Sequence, residues 1–280
     1  QKTPVRNQRL VAPALVKGPC HPEDDRPDNR PRQRRGDRID TGGIITELKT
    51  GIIGSYYSVQ KKPAGATTKT DDMDRVTPQA SIGWRAPVSL AGSSRSMVLE
   101  PRLQFAYIGG KDRSADIPNR DSADYRIDEA NLFLLNRYQG YDYLRPGSRA
   151  DMGVSAVAND ALVGDVTGFV GASYRLSGKP SSGLTVNDDD NLSDIVASLG
   201  INPDMPFQIN WSGRLASSDF ELNESRTTVS GKVRKLGYTV EHVQMAKPYF
   251  QSAASDLEEM KLSLSYDLPG GWTASGTQIW

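Results

Sequence analysis

Val166-Thr167-Gly168-Phe169-Val170-Gly171-Ala172-Ser173-Tyr174-Arg175-Leu176 alternates between two kinds of side chain. Val166, Gly168, Val170, Ala172, Tyr174 and Leu176 share one parity, and Thr167, Phe169, Gly171, Ser173 and Arg175 the other. Successive side chains of an extended strand point to opposite faces, so this run reads as a strand with one apolar and one mostly polar face. The pattern recurs on either side. Ala80, Ile82, Trp84, Ala86 and Val88 oppose Gln79, Ser81, Gly83 and Arg85. Leu99, Pro101, Leu103, Phe105 and Tyr107 oppose Glu100, Arg102, Gln104 and Ala106. Phe207, Ile209, Trp211 and Leu215 oppose Gln208, Asn210, Ser212 and Arg214, and Met260, Leu262, Leu264, Tyr266 and Leu268 oppose Glu259, Lys261, Ser263, Ser265 and Asp267. Six further runs, 44–60, 150–158, 193–201, 223–234, 238–246 and 272–280, bring the expectation to about eleven strands spaced as an antiparallel meander.

The connections fit this reading. Asn202-Pro203-Asp204 and Pro269-Gly270-Gly271 are short reversals, while 61–74, 109–124 and 177–191 read as longer polar loops. Pro101 removes a ladder donor, which predicts a bulge, a strand end or a weakened pairing there. Only 128–138, with Leu132, Leu135 and Tyr138, has spacing for a helical turn or two.

The chain has 280 residues with 34 basic and 34 acidic side chains. A neutral balance argues against a nucleic-acid partner, because phosphate neutralisation needs surplus Lys and Arg. No stretch approaches the roughly 18 consecutive apolar residues of a membrane-spanning helix. A single cysteine, Cys20, and two histidines, His21 and His242, leave little for a disulfide framework, a zinc site or histidine catalysis. The run 10–16 is too short for a signal-peptide core, and the chain is read as part of a longer protein. Residues 1–38 hold ten basic and five acidic side chains, and the first forty hold six prolines and no aromatic residue. Such a segment buries too little to offset its ordering entropy, so 1–40 is expected to be disordered and 41–280 to be the folded unit.

Alternation alone leaves a soluble β-sandwich and a membrane β-barrel open. The polar face here mixes Arg85, Arg102, Arg175, Arg214, Arg226 and Arg234 with Glu100, Gln104, Gln208, Asn210 and Glu224, which suits a water-filled lumen. Runs of about 8–11 residues cross a bilayer at a tilt of roughly 45°. Trp84, Trp211, Trp272, Trp280, Tyr107, Tyr174 and Tyr266 fall near strand ends, as interfacial girdles require. The expected fold is an all-β, incomplete antiparallel transmembrane barrel. A general porin or ligand receptor is the alternative among barrels, and a soluble sandwich interaction module the alternative outside them.

Leu99-Glu100-Pro101-Arg102, followed by Phe105 and Tyr107, resembles a strand of the LPS-assembly outer-membrane protein LptD family (organic solvent tolerance). Asn131-Leu132-Phe133, Asn136-Arg137-Tyr138, Gly140-Tyr141-Asp142, Gly147, Arg149 and Gly153 are similar to the loop that follows in that family, especially in alphaproteobacteria. Ser173-Tyr174-Arg175-Leu176, Ser193-Asp194 and Leu222-Asn223-Glu224 continue the likeness in order. The resemblance implies a non-enzymatic transporter without cofactors in the Gram-negative outer membrane, acting in envelope biogenesis. Its implied partners are lipopolysaccharide, outer-membrane lipids, an LptE-type plug lipoprotein inside the barrel, and a periplasmic lipopolysaccharide bridge reached through a jelly-roll domain that this sequence lacks. Lipopolysaccharide would leave through a lateral opening, with its sugars and phosphates in the lumen. The chain would be an interior slice of such a barrel.

Two readings attach to each candidate. Arg85, Arg102, Arg175 and Arg214, with Glu100, line either a path for phosphorylated sugar, since guanidinium forks bind phosphate at two points, or a set of lumenal salt bridges and plug contacts. The signature stretch (Asn131, Leu132, Phe133, Asn136, Arg137, Gly140, Asp142) is either a structural loop folded into the lumen about a glycine hinge or a surface for the plug. Asn187-Asp188-Asp189-Asp190-Asn191 offers hard oxygen atoms but lacks the spacing of a calcium loop, which favours a solvated loop. His242 has no nucleophile elbow or ordered partner spacing to make a hydrolase.

Overall fold

Why the alternating runs form one wall is visible in a computed structural model, which describes residues 38–61, 69–92, 95–112, 117, 126–137, 140, 142, 144–160, 164–178, 191–203, 205–246 and 256–280. The strands are β1 (Arg38–Thr41), β2 (Ile44–Lys61), β3 (Lys69–Arg85), β4 (Val88–Ala91), β5 (Arg95–Ile108), β6 (Gly147–Asp160) and β7 (Gly164–Gly178). They continue with β8 (Ile195–Asn202), β9 (Phe207–Leu215), β10 (Leu222–Val233), β11 (Leu236–Met245), β12 (Leu257–Asp267) and β13 (Thr273–Ile279). All pair antiparallel with their chain neighbours in a single 13-stranded sheet, except that β5 pairs with both β3 and β4. β1 and β13 are its edges, which makes it an incomplete barrel rather than two packed layers. The sandwich alternative is thereby overturned.

The two faces are inverted relative to a soluble protein. On β3, Met73, Arg75, Thr77, Gln79 and Ser81 are buried, whereas Val76 is 59% exposed on the opposite face. On β5, Gln104, Ala106 and Ile108 are buried while Leu103, Phe105 and Tyr107 face out, and Val154, Val170, Tyr174 and Leu264 are likewise exposed. A wall that hides Arg, Gln and Ser and displays Val, Leu and Phe suits hydrocarbon outside and a polar lumen inside. Trp84 and Phe105 meet edge to face on the outer surface, ring centroids 6.0 Å apart. Trp211 stands at mid-strand on β9, not at a rim, and its indole nitrogen donates to Ser225 Oγ at 3.0 Å. Tyr107, Tyr174 and Trp280 mark one end of their strands, and Tyr266 and Trp272 the other.

Connection length separates the rims. One rim carries the intervals 42–43, 92–94, 161–163, 203–206, 234–235 and 268–272, and the other 62–68, 109–146, 179–194, 216–221 and 246–256. Short turns on one side and long loops on the other are the polarity of an outer-membrane barrel.

Three further sequence expectations change. Among the described residues, thirteen strands replace about eleven, because the four-residue β1 and β4 carry too little alternation to stand out. β1 also takes Arg38, Ile39 and Asp40 from the segment expected to be disordered; residues 1–37 lie outside the described residues, as do Asp188, Asp189, Asp190 and Asn187. Lys69–Asp74, expected in a loop, opens β3, where pairing with β2 runs on as far as Lys61 opposite Lys69. The Pro101 expectation holds: it faces the break between β3 and β4 at Ala86-Pro87. The amide of Ala86 donates to the Pro101 carbonyl at 3.2 Å, so the side of Pro101 that lacks an N–H points into that break and not at β6.

Candidate functional site

The interval between β5 and β6 enters the lumen, and the sequence provides the means locally. Asp128 and Asn131 exchange hydrogen bonds, Asp128 N to Asn131 Oδ1 at 2.9 Å and Asn131 N to Asp128 Oδ1 at 2.8 Å, while Asn131 Nδ2 donates to the Arg126 carbonyl at 2.6 Å. Short polar side chains that bond their own backbone stabilise such turns. Leu132 N donates to the Asp128 carbonyl at 3.0 Å, the single helical turn that the 128–138 spacing allowed.

This turn aims Leu132 at the wall. Leu132 and Ile127 are fully buried against Phe169 of β7 and Val196 of β8, with Phe133 beside them. Phe133 meets Phe169 edge to face at 6.4 Å. Gly171 makes the approach possible, because a Cβ there would lie 2.6 Å from Leu132 Cδ2 and 2.8 Å from the Met152 carbonyl. Phe169, an apolar residue on the polar parity, therefore belongs to the floor of the loop. A second contact lies at the other end of the interval, where Ile117 packs on Met73 and Tyr57.

Beside Leu132, toward the long-loop rim, sits the most enclosed ionic group of the described residues. Asp151 is 0% exposed and ion-pairs with the buried Arg137. Arg149 Nε donates to Asp151 Oδ2 at 3.1 Å, Ser173 Oγ to Oδ1 at 2.7 Å and Gln104 Nε2 to Oδ2 at 3.1 Å. The two guanidiniums in turn clamp the loop: Arg137 Nη2 donates to the Leu132 carbonyl at 2.7 Å, and Arg149 Nη2 to the carbonyls of Leu134 and Leu135. A carboxylate taken out of water is tolerable only with such full pairing. Farther out, Glu129 accepts from Ser198 Oγ at 2.5 Å, Arg126 pairs with Glu224 at 3.4 Å, and Arg75 Nη1 donates to the Asp142 carbonyl at 2.8 Å. The loop thus spans the inner surface from β3 to β10.

The sequence-predicted residues divide between two settings. Asn131, Leu132, Phe133, Arg137, Gly140 and Asp142 all lie in the lumenal loop with the half-buried Asn136, and Gly140 adopts φ +99°, a left-handed conformation suited to a hinge. Tyr138, Tyr141 and Tyr143 lie outside the described residues. Arg214 is buried and pairs with Glu224 at 3.0 Å. Arg175 is held by Asn191 Oδ1 at 3.0 Å and 3.2 Å. Both have further partners. Arg85 and Arg102 are different. They stand directly opposite each other in the register, and Glu100 reaches both at 3.8 Å and 3.6 Å. Arg85 also lies 3.5 Å from Glu47, which is 3.7 Å from Lys49, and Arg102 stacks over the Phe133 ring at 4.7 Å.

Sequence reasoning missed Asp151, the hub. Its signal was present, an acid at the lumenal parity between Arg149 and Gly153 in an otherwise apolar run. Among the described residues, His242 pairs with the exposed Glu258 at 3.0 Å, on the outer face. No group of His, Cys, Asp and Glu among the described residues is arranged to hold a metal.

The comparisons with known proteins agree with this geometry. A family model described as LptD, LPS transport system D, matches residues 29–272. The LPS-assembly protein LptD of Escherichia coli (strain K12) is 28% identical over 166 residues, which cover 55% of this chain and 21% of that protein. The LPS-assembly protein LptD of Shewanella denitrificans is 29% identical over 154 residues, covering 54% and 18%. The chain spans about a fifth of the length of these curated relatives.

Proposed function

Since the chain belongs to the LptD family, whose members are outer-membrane proteins of Gram-negative bacteria, we propose that it forms part of the wall through which lipopolysaccharide reaches the outer leaflet. The observation that carries this is the inverted wall with a pinned lumenal loop, built from the residues that carry the likeness: Asn131, Leu132, Phe133, Arg137 and Arg149. Apolar residues facing out leave acyl chains a hydrocarbon medium, while the lumen offers guanidinium, amide and hydroxyl groups to sugars and phosphates.

In this reading the short-turn rim faces the periplasm and the long-loop rim the cell exterior. The part played is passage and not turnover: the wall orients a cargo and the loop narrows its route. An LptE-type plug, a periplasmic bridge and a lateral opening belong to the same reading, with the plug meeting the lumenal loop. The loop would also suit the constriction of a general porin, but the family assignment favours export. Depleting the protein from its bacterium is expected to lower lipopolysaccharide on intact cells, measured with external antibody. Unchanged surface lipopolysaccharide overturns the proposal.

A further inference from the structure

We infer that Lys49, Arg85 and Arg102 form a phosphate-receiving subsite on the lumenal wall immediately beneath the loop, an inference that rests on the export reading above. Four arginines were candidates for such a role from sequence, and their partners separate them. Arg214 is 3% exposed and ion-paired with Glu224 at 3.0 Å, and Arg175 is hydrogen-bonded to Asn191, so an arriving anion would have to enter a closed ion pair at the first and displace a close hydrogen bond at the second. Among the described residues, the ion contacts of Arg85 and Arg102 are 3.5–3.8 Å long, beyond ordinary hydrogen-bond length. Their guanidinium forks therefore retain the donors that a phosphate accepts two at a time.

Charge and position agree. Three cations, Lys49, Arg85 and Arg102, face two carboxylates, Glu47 and Glu100, which leaves one positive charge uncompensated. Like charges directly opposite on neighbouring strands repel, so Arg85 opposite Arg102 is a pair that gains from an anion placed between them. Depth places the pair at a boundary. On β5, Gln104, Ala106 and Ile108 above Arg102 are buried, while Val98 below it on the same face is 40% exposed. The pair lies at the upper end of the open lumen, where a headgroup rising from the short-turn rim would stop against the loop. The ligand class is a phosphorylated sugar headgroup on a lipid anchor.

The test places a photo-crosslinking amino acid at Val98 of the full-length protein in cells, with Gln208 on β9 as a comparison position, and blots for lipopolysaccharide adducts. Adducts are expected at Val98, falling about tenfold in the double variant Arg85→Gln, Arg102→Gln, since each charge-assisted contact is worth about 1.5–3 kcal/mol and 1.4 kcal/mol is tenfold. Arg85→Lys with Arg102→Lys should recover part of the yield. Should the glutamine variant fail to fold, the unaltered protein is assayed in cells whose lipopolysaccharide lacks its phosphates, where the Val98 adduct should fall equally. No adduct at Val98, or an adduct indifferent to both changes, overturns the subsite. If depletion lowers surface lipopolysaccharide while the adduct is indifferent, export stands and only the subsite falls.

Discussion

Asp151 and Glu100 are both carboxylates on the inner face of neighbouring strands, yet they live in different media. Asp151 is sealed under the loop and receives donors from Arg137, Arg149, Ser173 and Gln104. Glu100 lies below the loop and touches two guanidiniums only at 3.6 Å and 3.8 Å. The inner face under the loop is thus packed like a protein interior, and the inner face beyond it is only loosely paired. In the first, an ion pair is a structural commitment; in the second, it is a loose association that solvent or cargo can replace.

The largest test of this contrast is Asp151→Ala, which strands two guanidiniums beneath the loop. A loss of about 3–5 kcal/mol is expected, read as a lowered unfolding midpoint of the full-length barrel in detergent; Glu100→Ala should move that midpoint by about 1 kcal/mol or less. Equal losses would erase the distinction between the two halves. Next, Leu132→Ala should cost about 2–5 kcal/mol as a buried cavity, with greater protease access to the loop, and an unaltered digestion pattern would count against its docking on Phe169. An outer-face change, Val154→Arg, should cost about 2–4 kcal/mol in lipid, whereas Asn210→Arg, at an exposed inner-face position of β9, should be nearly silent; a reversed order would invert the wall. Gly171→Ala should cost about 1–3 kcal/mol by pushing Leu132 away, and the double variant with Leu132→Ala should recover part of that loss. Simple additivity of the two would show that the glycine serves something else.

Period-two alternation made the wall legible, since a lipid-facing strand must repeat its apolar side chains at every second position whatever its neighbours do. It even carried Phe169 on the polar parity, a small anomaly that the loop explains. The strand ends were less legible. Lys69-Thr70-Asp71-Asp72 has the composition of a loop, and only its partner β2 makes it a strand. The loop itself was found through its likeness to a family motif, because residues 126–137 have no strong local periodicity. The Asp151 hub was missed for a related reason: its partners Arg137, Ser173 and Gln104 come from three other places in the chain, and no short window of sequence contains the set.

Pro101 has a consequence for how the wall finds its alignment. Sliding β5 by two residues would preserve which side chains face lipid, so the apolar pattern by itself tolerates that error. The pyrrolidine nitrogen does not. In any shifted pairing it would stand before a carbonyl of β3 or β4 that has no water to turn to, at a cost of several kilocalories per mole in hydrocarbon. The observed alignment sets it against Ala86, at the break where β3 has ended and β4 has not begun, which confines that cost to a place where the ladder is already interrupted. One imino acid thereby acts as a notch, favouring one registration over a slide that the apolar pattern alone would tolerate.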